Sequence, residues 1–334
     1  MEAVPIESIR ANIPESLKDT IELLARQLTE NELLLLETAS VVGTQFPAQA
    51  VAGMLGLELD AVELTCDQLA GRRQFLRSAG SVDWADNSVS QCYQFIHDIY
   101  RRVLYDSLPP ARCQRLHLSA GLTIEGGYPQ QVDEVSAELA LHFELGHDAE
   151  RAIFHLRLAA ERAQQRAAAA EAVAYLNRAL AQTGVMPECT ANEKIELDLR
   201  LRLMRLLITA VAYTAVEQET NLERALELCQ RLDDSVSEIQ LLAQQSLLLI
   251  LRGDINGAEH AITLSKKVTK GIDSPILQSH EPAVAGVTAL VKGELEAAEA
   301  YSARALDLLG DADLREPTRL FGHDPGVVSL SFSA

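Results

Sequence analysis

The 334-residue chain is 48% hydrophobic and 23% charged, long enough to bury a sizeable core and to form two or three domains. A formal net charge of −19 argues against a nucleic-acid partner, since an acidic surface repels phosphates and gains nothing from counterion release, and it disfavours an acidic partner equally. Ala, Leu, Glu and Arg dominate and aromatics are only 4%, so helix is the expected element.

Five cysteines, Cys66, Cys92, Cys113, Cys189 and Cys229, are scattered, odd in number and never spaced Cys-x-x-Cys. They read as reduced packing residues of a cytoplasmic protein. There is no run of about 18 uncharged apolar residues and no basic leader followed by an apolar block, so neither a membrane span nor export is expected.

In chain order, Pro14 in a first helical turn and Leu17, Ile21, Leu24 and Leu28 at helical spacing predict a lead-in helix. Thr29 then caps a strongly apolar helix that opens with Glu30 and Glu32, runs through Leu33, Leu36 and Val41, and ends at Gly43. A short helix over 47–55 stops at Gly56, and Asp60 is expected to cap a third, with Val62, Leu64 and Leu69 on its buried side. Two strands, 75–79 and 91–95, flank a loop rich in turn formers, Gly80, Asp83, Asp86 and Asn87. Three helices followed by a β-hairpin is the order of a winged helix. A helix over 99–108, with Ile99, Tyr100, Val103 and Leu104 on one side, stops at Pro109-Pro110.

The third helix would enter a DNA groove if this were a DNA-binding winged helix. It carries Glu58, Asp60, Glu63 and Asp67 and meets its first bases only at Arg72 and Arg73, the reverse of a recognition helix. Protein contact is therefore expected ahead of DNA contact.

Beyond about residue 130 the pattern becomes amphipathic helices carrying a small residue and, seven positions on, a second small or apolar one: Ala152 and Ala159, Ala172 and Ala179, Ala225 and Leu232, Ala258 and Ser265, Ala298 and Ala305. The segment LRGDINGAEHAITLSKKV at 251–268 matches VKGELEAAEAYSARALDL at 291–308 with an offset of forty. Gly253 and Gly293 are expected to close one helix of each unit, and Asp254 and Glu294 to start the next. This resembles the tetratricopeptide repeat, a helix hairpin that stacks into a solenoid, over residues 133–309.

The stretch YQFIHDIYRRVLYDSLPPARCQRLHLSAGLTIE, 93–125, with LLLLETASVVGTQF before it and HFELGHDAERAIFHLRLAAERA after it, resembles the segment that follows the nucleotide-binding core in bacterial signal-transduction ATPases of the STAND class. The likeness covers about residues 14–185 and implies tetratricopeptide repeats downstream. It also implies a parent that binds ATP and ADP and carries a cyclase, kinase or DNA-binding output domain. The Gly-rich loop ending in Gly-Lys-Ser or Gly-Lys-Thr is missing, so no cofactor is expected in this chain alone.

Within that stretch Ile96-His97-Asp98 resembles the Met-His-Asp signature of related apoptosis and plant-resistance NTPases. The resemblance implies that His97 senses the β-phosphate of ADP held by the absent core and that Asp98 orients the local backbone. The plainer alternative is that His97 caps the next helix or packs under the wing. No catalytic or metal set is expected: His142 and His147 are five apart without the His-Glu-x-x-His pattern and read as surface or interhelix residues. His155, His260 and His280 read as solitary, and Asp233-Asp234 as solvated helix caps.

The expected fold is mainly α, a winged helix with one small β-hairpin followed by an α-solenoid of tetratricopeptide-like hairpins. The expected domains are a lead-in helix or linker from a missing ATPase core at 1–28, the winged helix at 29–128, repeats at 129–316 and the start of a further, truncated repeat at 317–334, where Gly322–Gly326 reads as a turn. The expected function is regulation and protein contact without catalysis. The partners would be a protein in the repeat groove and the chain's own missing core, with no nucleic acid and no membrane. The alternative is a winged-helix transcription regulator with a helical effector-binding domain.

Overall fold

The computed structural model describes residues 15–84, 88–128, 132–209 and 215–310. Pro14, Asp86, Asn87 and the stretch 311–334, with its expected turn and further repeat, lie outside the described residues. The chain is mainly α-helical with one small sheet and divides into two compact units, residues 1–165 and 166–334.

The first unit runs α1 (Glu15–Ala25), α2 (Glu30–Val42), β1 (Gln45–Pro47), α3 (Ala48–Leu55), α4 (Leu59–Gly71), β2 (Leu76–Asp83), β3 (Val89–Phe95), α5 (Asp98–Asp106), α6 (Pro110–Gly127), α7 (Val132–Leu145) and α8 (Ala149–Gln165). The start of α2 follows from a reciprocal cap. The Glu32 N–H donates to Thr29 Oγ1 at 3.3 Å while the Thr29 N–H donates to Glu32 Oε2 at 2.8 Å, two of the donors that a helix start leaves without partners. That bond from the Thr29 backbone, helped by Arg72 Nη1 at 2.8 Å, holds the buried Glu32 carboxyl below its usual range.

The sheet has three strands rather than the hairpin's two. Its order is β1-β3-β2, all antiparallel, with Gln45 opposite Gln94 and Leu76 opposite Phe95. Strand β1 is too short to show any period, and Pro47 sits at its end, where a missing N–H costs no ladder bond. Between Ser78 and Ser81 the register slips by one residue, and Gly80 at φ +91° supplies the left-handed conformation the bulge needs. This carries β2 to Asp83, beyond the expected end of the strand.

Ile21, Leu36, Phe46, Val51, Val62, Leu69, Phe75, Phe95 and Leu104 form one core, with Phe46 and Phe95 ring centroids 5.8 Å apart. Two expectations for α4 are corrected. Asp60 does not cap: Glu58 holds the cap position without a side-chain bond, and Asp60 lies inside the first turn. Leu64 is 60% exposed, because the buried stripe is Val62, Cys66 and Leu69 at helical spacing, and a residue two on from Val62 points the other way.

The second unit runs α9 (Ala169–Thr183), α10 (Thr190–Thr209), α11 (Ala215–Leu232), α12 (Ser235–Leu251), α13 (Ile255–Thr269), α14 (Pro275–Lys292) and α15 (Leu295–Leu309). Each helix packs on the next, and α12 also packs on α14, so the first helices of successive hairpins lie side by side as in a solenoid. In both units the small-residue pairs lie on buried stripes. Ala152, Ala159, Ala172, Ala179, Ala225, Ala258, Ser265, Ala298 and Ala305 are at most 3% exposed, and Leu232 is half-buried.

The turn read at Gly253 and Gly293 recurs in places the sequence does not advertise. His147, Asp233, Gly253 and Gly293 all take φ between +55° and +79°. In each case the next residue's N–H donates to the carbonyl five residues back: Asp148 to Phe143, Asp234 to Cys229, Asp254 to Leu249 and Glu294 to Ala289, all at 2.9 to 3.0 Å. This is the Schellman closure of a helix end. Asp148, Asp234 and Asp254 then accept from the backbone N–H three residues on, capping α8, α12 and α13, whereas the Glu294 side chain makes no cap bond.

Candidate functional site

The residues singled out by the sequence stand where β3 hands over to α5. Main-chain bonds fix this joint: Phe95 N–H donates to Thr44 O and Ile96 N–H to Phe75 O, both at 2.9 Å. His97 occupies the helix cap position with its side chain exposed and making no cap bond, 5.9 Å between ring centroids from Tyr100. It therefore neither caps α5 through its imidazole nor packs into the core.

Asp98, beside it, accepts from Thr44 Oγ1 and Arg101 Nε at 2.8 Å each, clasping the start of β1 to α5. Burial alone would raise its carboxyl, but these bonds and the Arg101 and Arg102 charges outweigh it and hold Asp98 below the usual carboxylate range. The arrangement leaves a solvent-facing imidazole on a joint whose backbone is braced. It can donate or accept a hydrogen bond to an incoming group.

The acidic face of α4 is partly turned inward. Glu63 Oε1 accepts from the Gln91 N–H at 2.9 Å and Asp67 Oδ1 from Tyr93 Oη at 2.8 Å, so both carboxylates fasten the helix to β3. Glu58 and Asp60 are exposed. In the second unit, α11, α12 and α13 enclose a cleft whose lining includes Leu226, Leu242, Leu249, Leu264, Gln230 and Glu238. A second groove along α13 and α14 holds Lys292 between Glu259 at 3.0 Å and Glu294 at 2.9 Å, and Lys266 at 3.6 Å from Glu281.

No family model matches the chain, and no curated protein does. Among solved structures it is similar to BtubC (BKLC) from P. vanneervenii, with 17% identity, 62% of this chain and 84% of that one covered, and a TM-score of 0.41. It is also similar to the Signal Transduction ATPase with Numerous Domains (STAND) protein with a tetratricopeptide repeat sensor from Pyrococcus horikoshii, with 13% identity, 95% of this chain and 48% of that one covered, and a TM-score of 0.39. The chain spans about half the length of that ATPase. No helix among the described residues is long and apolar enough to cross a membrane.

Sequence reasoning missed a buried polar chain across α5, α6 and α7. Tyr105 Oη lies 2.8 Å from His117 Nε2, and His117 Nδ1 lies 3.0 Å from His142 Nδ1. Of two ring nitrogens at that distance one donates and the other accepts, so the accepting imidazole is neutral. Burial, with the neighbouring His142, lowers His117 to about 3, and burial lowers His142 to about 4. Of the two readings offered for His142, the interhelix one holds and the surface one does not: it is buried and meets His117 across α6 and α7.

His155 is not solitary either. Its Nε2 meets Glu125 Oε1 at 2.8 Å, and its ring stacks on Phe143 at a 10° interplanar angle. The cysteine reading also needs one correction. Cys66, Cys92 and Cys229 are buried and Cys113 is half-buried, but Cys189 is exposed in the connection before α10.

Proposed function

We propose that the chain is a regulatory and protein-interaction segment of a multidomain signal-transduction ATPase, with no catalysis of its own. In this reading residues 29–128 are a winged helix that relays nucleotide state, and the helices from α7 onward are a tetratricopeptide-like solenoid that binds a protein partner. The observation that carries it is the repeated build of the second unit. The α12–α13 and α14–α15 hairpins carry the same buried small-residue stripe on α13 and α15, close with the same turn at Gly253 and Gly293, and set α12 beside α14, as stacked repeats do.

The helix-strand-helix-helix-hairpin order of the first unit, with β1 laid against β3, supports the winged helix. The charge on α4 supports protein over DNA as its ligand. The exposed His97 on its braced joint supports the sensor role, in which the imidazole donates to the β-phosphate of ADP held by a nucleotide-binding core.

The test joins this chain to such a core and compares the ADP off-rate with that of His97→Ala. A hydrogen bond to a charged acceptor is worth about 1.5–3 kcal/mol, so release should accelerate about 10- to 150-fold. An unchanged off-rate would remove the sensor role.

A further inference from the structure

In the outer half of the β2–β3 hairpin Ser81, Asp83 and Val89 are exposed, but Trp84 and Ser90 are buried. The bulge at Ser78–Ser81 bends the hairpin, and Ser90 Oγ on β3 accepts from the Gln49 N–H of α3 at 3.0 Å, drawing it onto the helices. At its end Trp84, whose N–H donates to Ser88 O at 2.8 Å, is only 7% exposed, an unusual burial for an indole at a hairpin tip.

What receives the indole is the last turn of α6. A Cβ on Gly127 would lie 2.3 Å from Trp84 Cζ2 and 2.5 Å from Cε2, so only glycine leaves the notch open. The Tyr128 ring forms a second wall, with centroids 4.9 Å apart at 55°. Gly127 has no left-handed backbone to explain it; the requirement is the close approach of a ring. The same helix holds α7 closely, because a Cβ on Gly121 would lie 2.8 Å from Phe143. Trp84, Gly127, Gly121 and Phe143 therefore form a packed line from the hairpin tip, through α6, to the first hairpin of amphipathic helices.

We propose that Trp84 is a latch that couples the hairpin to the α6–α7 joint. With the indole in the Gly127 notch, the hairpin and the end of α6 move as one body. With the indole out, the hairpin is free to meet an outside ligand and the last turn of α6 loses its packing. This is independent of the proposed nucleotide role, because it needs no ligand and concerns only these contacts.

Trp84 is the single tryptophan of the chain, so its emission reports the latch directly. The experiment compares the intact chain with Gly127→Ala by tryptophan emission, iodide quenching and hydrogen exchange. The expected result is a red-shifted, several-fold more quenchable emission, with faster exchange both in the hairpin, 76–95, and across the α6–α7 joint, and parent-like exchange in α12–α15. Emission that stays blue and protected, or faster exchange confined to the hairpin while α6 and α7 keep parent protection, would overturn the coupling.

If Gly127→Ala does not fold, Trp84→Ser empties the notch instead of filling it. It should show the same paired rise in exchange, and a rise in the hairpin alone overturns the proposal equally. Trp84→Phe, which keeps a flat ring for the notch, should restore parent exchange at both places.

Discussion

Lowering the pH from 7 to 5 tests the buried Tyr105–His117–His142 chain. An exposed imidazole titrates near about 6.5 in the unfolded chain, whereas the folded values are depressed to about 4 and about 3. The sign follows from proton counting. Below about pH 6.5 the unfolded chain takes up protons that the folded chain refuses, so stability is complete above that value and falls as the pH drops towards the folded values.

At pH 5 each histidine costs about 2 kcal/mol and the pair about 4 kcal/mol. Because both folded values lie at least a unit below pH 5, that figure depends little on where they lie. The charges around the chain do not reverse the sign. Arg112 of α6 is paired with Glu37 of α2, and Glu125 faces Arg151 and His155 of α8. The assay is urea unfolding followed by Trp84, which reports the first unit alone, for the parent and for His117→Leu/His142→Leu. The double variant should lose about 4 kcal/mol less between pH 7 and pH 5. An equal loss in both proteins would mean that the pair already titrates normally when folded, and the reasoning would fail.

Thr29→Ala removes the α2 cap and leaves the buried Glu32 with fewer donors, and should cost about 1–2 kcal/mol by denaturant unfolding. His147→Gly relieves a non-glycine residue at φ +59° in a helix-closing turn and should stabilise by up to about 1 kcal/mol, visible as a raised urea midpoint. Ala258→Leu overfills a fully buried stripe position and should cost about 1–3 kcal/mol, read as loss of helical ellipticity at lower temperature. Duplex DNA titrated at about 50 mM salt should produce no shift in fluorescence anisotropy, and saturable binding there would favour the transcription-regulator reading.

The legible parts of the fold were those where local chemistry repeats or stands alone. Thr29 with Glu32, and the forty-residue match around Gly253 and Gly293, mark their structures because glycine and capping residues have few other uses. The equivalent turn at His147 and Asp233 is hidden, since side chains there pay a left-handed strain that composition does not show. The His117–His142 contact and the seating of Trp84 on Gly127 join residues on different elements, and no periodicity along one helix can reveal them. Leu64 misled for the opposite reason. It is apolar, but its angle around the helix does not match that of Val62.

The antiparallel register that sets Gln45 against Gln94 also has a consequence for the order in which the polypeptide acquires structure during synthesis. Strand β1 leaves the ribosome some 50 residues ahead of β3, about 3–10 s at ordinary elongation rates, and must stay unpaired until β3 appears. The second unit has no such wait, because each of its helices closes on the one made just before it. Nascent chains stalled before Val89 should therefore present Gln45–Pro47 to proteases and to strand-capturing chaperones, and those stalled well beyond Phe95 should not. Of the two units, the one that holds the sheet would be the more dependent on help.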